Sequence, residues 1–390
     1  MKIKVGVIFG GESVEHEVSI ISALQAIDNI DKEKYDVVPI YIGKNRIWYT
    51  SDKLLDIDEY KDLDLLMRKC KEVTLCKKDN EFCLINTKGI MNKVVNIIDV
   101  AFPIVHGANV EDGTLAGYLN TVGIPYVGSG VLGASLGQDK VLIKQVLKSA
   151  NIPLVDYVWF YDVDYEERKE EYLKKIKKLG YPVVVKPATL GSSVGINFVK
   201  NEKVIEDAIN EAIEYDKKII VEKAVENLIE VNCSVLGNYE NATSSVLEEV
   251  LSDNMVLTYE DKYVGNSKTK GAKGGMTNTS RIIPANISKD LTKKIQDTSV
   301  EVFKVMNFSG VVRIDYLIDS KTKEYYVNEP NTIPGSLSFY LWDKTDKNYS
   351  ELLDDLISLS IREYKNRQKK IYSFNTNILK NFNGVKGVKK

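Results

Sequence analysis

Residues 4–11, KVGVIFGG, constrain the fold more than any other stretch: a short apolar strand ends in two glycines, and ESVEHEVSIISALQAI then turns at once to helical periodicity. Val18, Ile21, Ala23, Leu24 and Ile27 fall near one stripe. A strand, a glycine turn and a helix start form the first unit of a doubly wound α/β sheet, in which ligands gather beyond the carboxyl ends of the strands. YDVVPIYIG (35–43) reads as the second strand, and VVNIIDVAFPIVHG (94–107) as another buried parallel strand running into a polar loop. Between them, residues 44–95 are charged and irregular, with strand-like EVTLCKK and EFCLIN, and read as an insertion or surface subdomain. TLAGYLNTVGIPYVGSG reads as a helix followed by a short strand.

A second region starts near 130. LGASLGQDKVLIKQVLKSA reads as one helix, NIPLVDYVWF as a strand, and YEERKEEYLKKIKKLG as an amphipathic helix stopped by Gly180. YPVVVKPATLGSSVGINFVK (181–200) reads as a pair of strands around a Gly/Ser loop, KVIEDAINEAIEY as a helix and KKIIVEKAV as a strand. EVNCSVLG opens a third region, which contains the lysine- and glycine-rich NSKTKGAKGG (266–275) and ends in a frayed tail. The 390 residues suffice for a few domains of roughly 100–200 residues each. Lys+Arg 53 against Asp+Glu 55 leaves a net charge of −2, so no basic surplus favours a nucleic-acid partner. Cys70, Cys76, Cys83 and Cys233 have neither zinc spacing nor a disulfide framework. The N-terminal apolar run is too short for a signal peptide, and no apolar run reaches membrane-spanning length. The expectation is a soluble cytoplasmic enzyme with no membrane partner.

The segment VVRIDYLIDSKTKEYYVNEPNTIPGS holds two β-rich runs joined by a turn near residue 321 or 322. A hairpin centred there sets Asp315 opposite Asn328 or Glu329, and alternation puts Glu329 and Asn331 on one face. Asp315, Glu329 and Asn331 then offer oxygen ligands suited to Mg²⁺ or Mn²⁺; the plain alternative is a solvent-facing hairpin. In VVVKPATLGSSVGI, Lys186 ends an apolar strand where an ammonium needs an anion, and the small residues after it can close backbone N–H groups over phosphate. Glu222 and Glu230 are candidate acceptors for an adenosine, or structural charges. Glu15 stands at the start of the first helix, where it either caps the helix or fixes the amine of a zwitterion. His106 and Glu111 lie in the loop VHGANVEDG at the ligand-binding edge of the sheet.

Taken together, GGESVEHEVS, HGANVEDG, YVGSGVLGASLGQDK, VVVKPATLGSSVGI, EDKY, RIDYLI and NEPNTIPG occur in the order found in the D-alanine–D-alanine ligases of the ATP-grasp superfamily, which the chain resembles over nearly its whole length. The resemblance implies three α/β domains: a Rossmann-like N-terminal domain (1–129), a central ATP-grasp subdomain (130–222) and a C-terminal one (223–390) carrying a lid loop (259–280). It implies that Glu15 orients the first D-alanine's ammonium and His106 lies near its carboxylate. Lys140, Lys186, Ser193 and Lys262 approach ATP phosphates, and Glu222 and Glu230 hold adenine and ribose. Ser192 and Tyr263 link to Glu15; Arg313 and the backbone of Gly335 stabilise an oxyanion. Asp315, Glu329 and Asn331 hold Mg²⁺, as two ions. A homodimer is implied as well.

Three departures stand out. The loop after EDKY is long, Val110 replaces a usual glycine, and by counting from NTIPG the place of a serine that receives the second substrate's carboxylate falls to Tyr340, with Ser338 and Leu341 beside it. A D-alanine–D-serine ligase, or another ATP-grasp carboxylate–amine ligase, therefore remains an alternative, as does a nucleotide-binding regulatory protein without activity.

Overall fold

A computed structural model describes residues 2–88, 93–191, 194–251, 281–374 and 377. Three sheets carry the molecule. The first has seven strands in the order β6-β5-β4-β3-β2-β1-β7, with β1 Ile3–Gly10, β2 Tyr35–Ile42, β3 Trp48–Thr50, β4 Lys71–Lys78, β5 Glu81–Asn86, β6 Val94–Ile98 and β7 Val100–Pro103. β1 pairs in parallel with β2 and β7, while β3 to β6 continue antiparallel. Residues 44–95 are therefore hydrogen-bonded into the main sheet rather than set apart from it.

The run 94–107 divides where one parallel strand is expected. Asp99 separates β6 from β7, its carboxylate accepting from Lys4 N at 2.7 Å while its own N–H donates to Lys4 O at 2.8 Å. Since β6 and β7 are consecutive in sequence yet lie at opposite edges of the sheet, the sheet curls until those edges meet across β1. Gly6 permits this: a Cβ there would sit 2.7 Å from Ile98 Cδ1. The helix His16–Asn29 packs on this sheet through Ile20, Ala23 and Ile27, which share a core with Val5, Val7 and Phe9.

The second sheet runs β10-β9-β11-β8, with β8 Tyr157–Tyr161, β9 Val183–Pro187, β10 Asn197–Val199 and β11 Lys218–Lys223. The run expected as one helix from about 132 to 150 is two, Val131–Gln138 and Lys140–Ser149. Asp139 breaks it: its backbone is extended (φ −102°, ψ 106°), and its carboxylate caps the N–H groups of Val141 and Leu142. The break makes Lys140 the first residue of a new helix, whose N–H donates to Ala188 O beside the Gly/Ser loop.

The third sheet runs β14-β13-β12-β15-β16, with β12 Leu228–Gly237, β13 Ala242–Val250, β14 Arg281–Ile282, β15 Gly310–Asp319 and β16 Tyr325–Asn331. Its inner face packs on the helix Lys289–Val305 through Val231, Cys233, Ile314, Tyr316 and Phe303. The C-terminal helix Tyr349–Gln368 crosses back to the first domain, where Leu353 and Leu356 share the core of Val100 and Phe102. No helix among the described residues is long and apolar enough to cross a membrane.

Candidate active site

One cavity is lined from all three sheets. Glu15, His106, Gly107 and Glu111 come from the first; Lys140, Lys186, Gly191 and Glu222 from the second; Glu230, Asn232, Glu248, Arg281, Arg313, Asp315, Glu329, Asn331 and Gly335 from the third.

The hairpin builds one wall. β15 and β16 pair with Arg313 opposite Asn331 and Asp315 opposite Glu329, and a bulge beyond that pair places Asn328 between Val327 and Glu329. This decides the register in favour of the Asp315–Glu329 pairing. Asn331 Nδ2 donates to Asp315 Oδ2 at 3.1 Å, so the two share a face. Arg313 grips the same carboxylate with two hydrogen bonds, Nε to Oδ1 at 2.7 Å and Nη2 to Oδ2 at 2.8 Å. Burial works against the charge on Arg313, but Asp315 more than offsets it and raises the pKa further above its ordinary value. All three candidate ligands present oxygen, two as carboxylate and one as amide, which is the chemistry a hard divalent cation accepts.

The facing wall carries lysines. Lys140 Nζ donates to Leu190 O at 2.7 Å and lies 3.3 Å from Glu329 Oε2. Lys186 Nζ lies 2.7 Å from Glu222 Oε2 and donates to Asn328 Oδ1 at 3.2 Å. Both lysines thus cross from the second sheet to the bulged strand of the third. Glu222, at 2% exposure, is held on its other oxygen by Lys144 at 3.0 Å. Burial would raise the pKa of Glu222, yet Lys144 and Lys186 outweigh burial and pull it down to about 2. On Lys186, burial is outweighed by Glu222 and Glu329, which raise its pKa. The partners of Glu222 within the protein are thus two lysines, and it also lines the cavity. Glu230 lines the cavity as well.

The third wall comes from the first domain. Glu15 is the N-cap residue of its helix but makes no capping hydrogen bond with its side chain, so the capping reading falls. The helix start is fixed by His16, whose Nδ1–H donates to Gly11 O at 2.6 Å and whose Nε2 accepts from the Tyr41 hydroxyl at 2.9 Å. The Glu15 carboxylate faces Gly107 and Gly191; a Cβ on Gly107 would meet Oε2 at 2.8 Å, so these glycines leave it room. His106 is 4% exposed; its Nε2 lies 3.2 Å from Ser22 Oγ, which also accepts from Ser336 N at 3.0 Å. Burial lowers the pKa of His106, with Glu15 opposing.

Glu111 ties the first domain to the third sheet. Its Oε1 accepts from Thr332 Oγ1 at 2.9 Å and Ile333 N at 2.8 Å, and its Oε2 from Gly107 N at 3.0 Å. Burial and the nearby Glu15 push its pKa up to about 7.

After Gly335 the chain makes a left-handed turn through Ser336, Leu337 and Ser338 (φ 51°, 53° and 50°). Non-glycine residues disfavour this conformation by about 1–2 kcal/mol each. Ser22 receiving Ser336 N, and Gln25 Oε1 receiving Ser336 Oγ at 2.6 Å, hold it in place. The turn redirects the chain beyond it. Leu341 is fully buried in the core, and Ser338 is fully buried with its Oγ unpartnered among the described residues. The Tyr340 hydroxyl donates to Glu248 Oε1 at 2.8 Å beneath Arg281. None of these three is among the described residues that line the cavity. Ser192, Ser193, Lys262 and Tyr263, with the lid segment 259–280, lie outside the described residues.

Lys144, Arg281 and Ser336 escaped the sequence reading, and Asn328 entered it only as a pairing alternative for Asp315. Lys144 was findable, standing one helical turn beyond Lys140. Asn328 depends on a bulge, and Ser336 on a left-handed turn, that no periodicity announces.

The model for the D-ala D-ala ligase N-terminus matches residues 4–129, and that for the D-ala D-ala ligase C-terminus matches residues 146–358. A D-alanine–D-alanine ligase of Thermosipho melanesiensis is 40% identical, covering 97% of this chain and 98% of its own. One from Clostridium acetobutylicum is 41% identical, covering 92% and 98%. Among solved structures, the D-alanine–D-alanine ligase from Coxiella burnetii superposes with a TM-score of 0.77 at 28% identity, covering 94% of this chain and 96% of its own. The VanG D-Ala:D-Ser ligase from Enterococcus faecalis does so with a TM-score of 0.76 at 30% identity, covering 92% and 100%.

Proposed function

This chain belongs to the D-alanine–D-alanine ligase family, and from that premise we propose how its own residues perform the ATP-dependent joining of two D-alanines, the step that supplies a dipeptide for peptidoglycan precursors. The observation that carries the reading is the meeting, in one cavity, of an oxygen-donor wall with Arg313 and a lysine wall, with Glu15 and His106 at the third side.

The reaction divides into two displacements. The carboxylate of the first D-alanine attacks the γ-phosphorus of ATP, the bond to ADP breaks, and an acyl phosphate forms. The unprotonated amine of the second D-alanine then attacks the acyl carbon, and phosphate leaves. Both attacks bring negative charge to a crowded centre, so the site must spread positive charge where charge develops. Lys140 and Lys186 meet the phosphates. Asp315, Glu329 and Asn331 would hold Mg²⁺, as two ions, which when bound neutralises phosphate charge. Glu15 takes the ammonium of the first D-alanine, and His106 stands by its carboxylate. Arg313 and the Gly335 N–H stabilise the tetrahedral oxyanion. Glu230 receives the nucleoside. The enzyme works as a homodimer in the cytoplasm.

The test is release of ADP and phosphate by the purified protein, with products identified by mass. Release should require D-alanine and Mg²⁺ together and yield D-alanyl-D-alanine. Stimulation by another amino acid but not by D-alanine would overturn the reading. A D-serine arm separates the D-alanine–D-serine ligase alternative.

A further inference from the structure

Lys144 does not line the cavity, yet it is a deeply buried cation directly behind it: its side chain is 1% exposed. Its Nζ lies 3.0 Å from Glu222 Oε1, but the alignment is poor for a hydrogen bond, and no other polar atom satisfies it among the described residues. The Tyr157 ring, 5.8 Å away, faces it. Burial lowers the pKa of Lys144 and Glu222 opposes this. Burying an ammonium with one carboxylate that is already shared is a costly arrangement, and buried ion triads rarely exceed apolar packing as stabilisers. Stability is a poor reason for this lysine.

Charge supplies a better one. Lys186 is anchored by Glu222 at 2.7 Å. Taken alone, that pair is neutral, so the carboxylate that positions the phosphate-facing lysine also cancels its field. The other lysine of this wall, Lys140, is engaged by Glu329 at 3.3 Å. A second cation on the far oxygen of Glu222 returns the cluster to a net +1 without entering the space that a nucleotide would fill. We propose that Lys144 is a positioning residue for nucleotide binding. It offsets Glu222, so that Glu222 holds Lys186 in place without neutralising it toward a polyphosphate. The inference rests on the ATP-binding reading of this cavity.

The experiment measures Mg–ADP and Mg–ATP dissociation constants by calorimetry, and KM for D-alanine, in the wild type, Lys144→Gln and the double variant Lys144→Met/Glu222→Gln. Lys144→Gln removes the charge while keeping most of the side chain's volume and a polar end. Nucleotide affinity should fall by about tenfold while KM for D-alanine stays within about twofold. The double variant regains a net +1 through Lys186 and should return to within about threefold of wild type. Unchanged affinity in folded Lys144→Gln overturns the proposal. So does a double variant that remains about tenfold weak, since a packing role would not be rescued by removing a charge. Should Lys144→Gln fail to fold, Lys144→Met takes its place as the single variant, with the same thresholds and the same double variant as its rescue. A wild type that binds no nucleotide breaks the reading of the cavity instead.

Discussion

Glu111, half-buried, and Glu222, buried, are carboxylates bordering the same cavity, and they are held in opposite ways. Glu222 sits between two ammonium groups in the second sheet and is drawn down to about 2. Glu111 sits between loops of the first and third layers, receives two N–H groups and a hydroxyl, and is pushed up to about 7. Burial acts in the same direction on both. What differs is the charge of the partners: ammonium groups repay desolvation in full, whereas neutral donors repay it only in part, and Glu15 adds a like charge. One region is an electrostatic cluster that fixes lysines; the other is a hydrogen-bonded strap that fixes a loop.

The contrast breaks most sharply on removing Glu222. Glu222→Ala leaves Lys144 and Lys186 buried without their anion and should cost about 3 kcal/mol of stability, read by urea denaturation, with ATP turnover reduced more than about hundredfold. A near-normal urea midpoint would mean the lysines find other partners. Glu111→Ala frees Thr332 and Ile333, the residues just past Asn331. It should cost about 2 kcal/mol and lower kcat about tenfold with KM for ATP little changed. A rise in KM for ATP with full kcat would contradict the strap.

The pH dependence separates the two without disturbing the fold. The Glu222 contribution to stability is full above its ordinary value of 4.5 and is lost as pH falls toward about 2. Between 4.5 and about 7 the folded protein holds a proton on Glu111 that the unfolded chain has released, so stability from this group declines as pH rises through that window. Glu222→Gln should flatten the acid limb, and Glu111→Gln the decline below neutrality. Identical profiles for both variants would erase the distinction. The smallest effect is expected at Tyr340→Phe, which removes one hydrogen bond to Glu248. A loss of about 1 kcal/mol with acceptor KM within about twofold is expected; a large rise in acceptor KM would make Tyr340 a substrate contact.

Much of the candidate site was legible because its parts are local. Asp315, Glu329 and Asn331 stand within one hairpin, and alternation plus a short turn placed them on one face before any tertiary contact was known. Lys186 at the end of an apolar strand demanded an anion on burial grounds, and it has one. The path of the chain toward Tyr340 was not legible. Three consecutive left-handed residues shorten the path after Gly335, and such a turn is held by distant Ser22 and Gln25 rather than by its own residues.

By itself, the sequence determined the strands, most of the helices and the chemistry of each motif. These arise from short-range periodicity, glycine turns and the cost of burying charge. Tertiary structure decided which charges meet. Lys144 on a helix, Glu222 on β11 and Lys186 on β9 are far apart along the chain, and only close packing of the second sheet converts three scattered ionisable residues into one cluster. It likewise closed the first sheet across β1, where Gly6 makes room for Ile98, and it joined Glu111 to Thr332 and Ile333 across 221 and 222 positions. Electrostatic energy depends on separation in space and on the dielectric between charges. Neither is a property of neighbours in sequence.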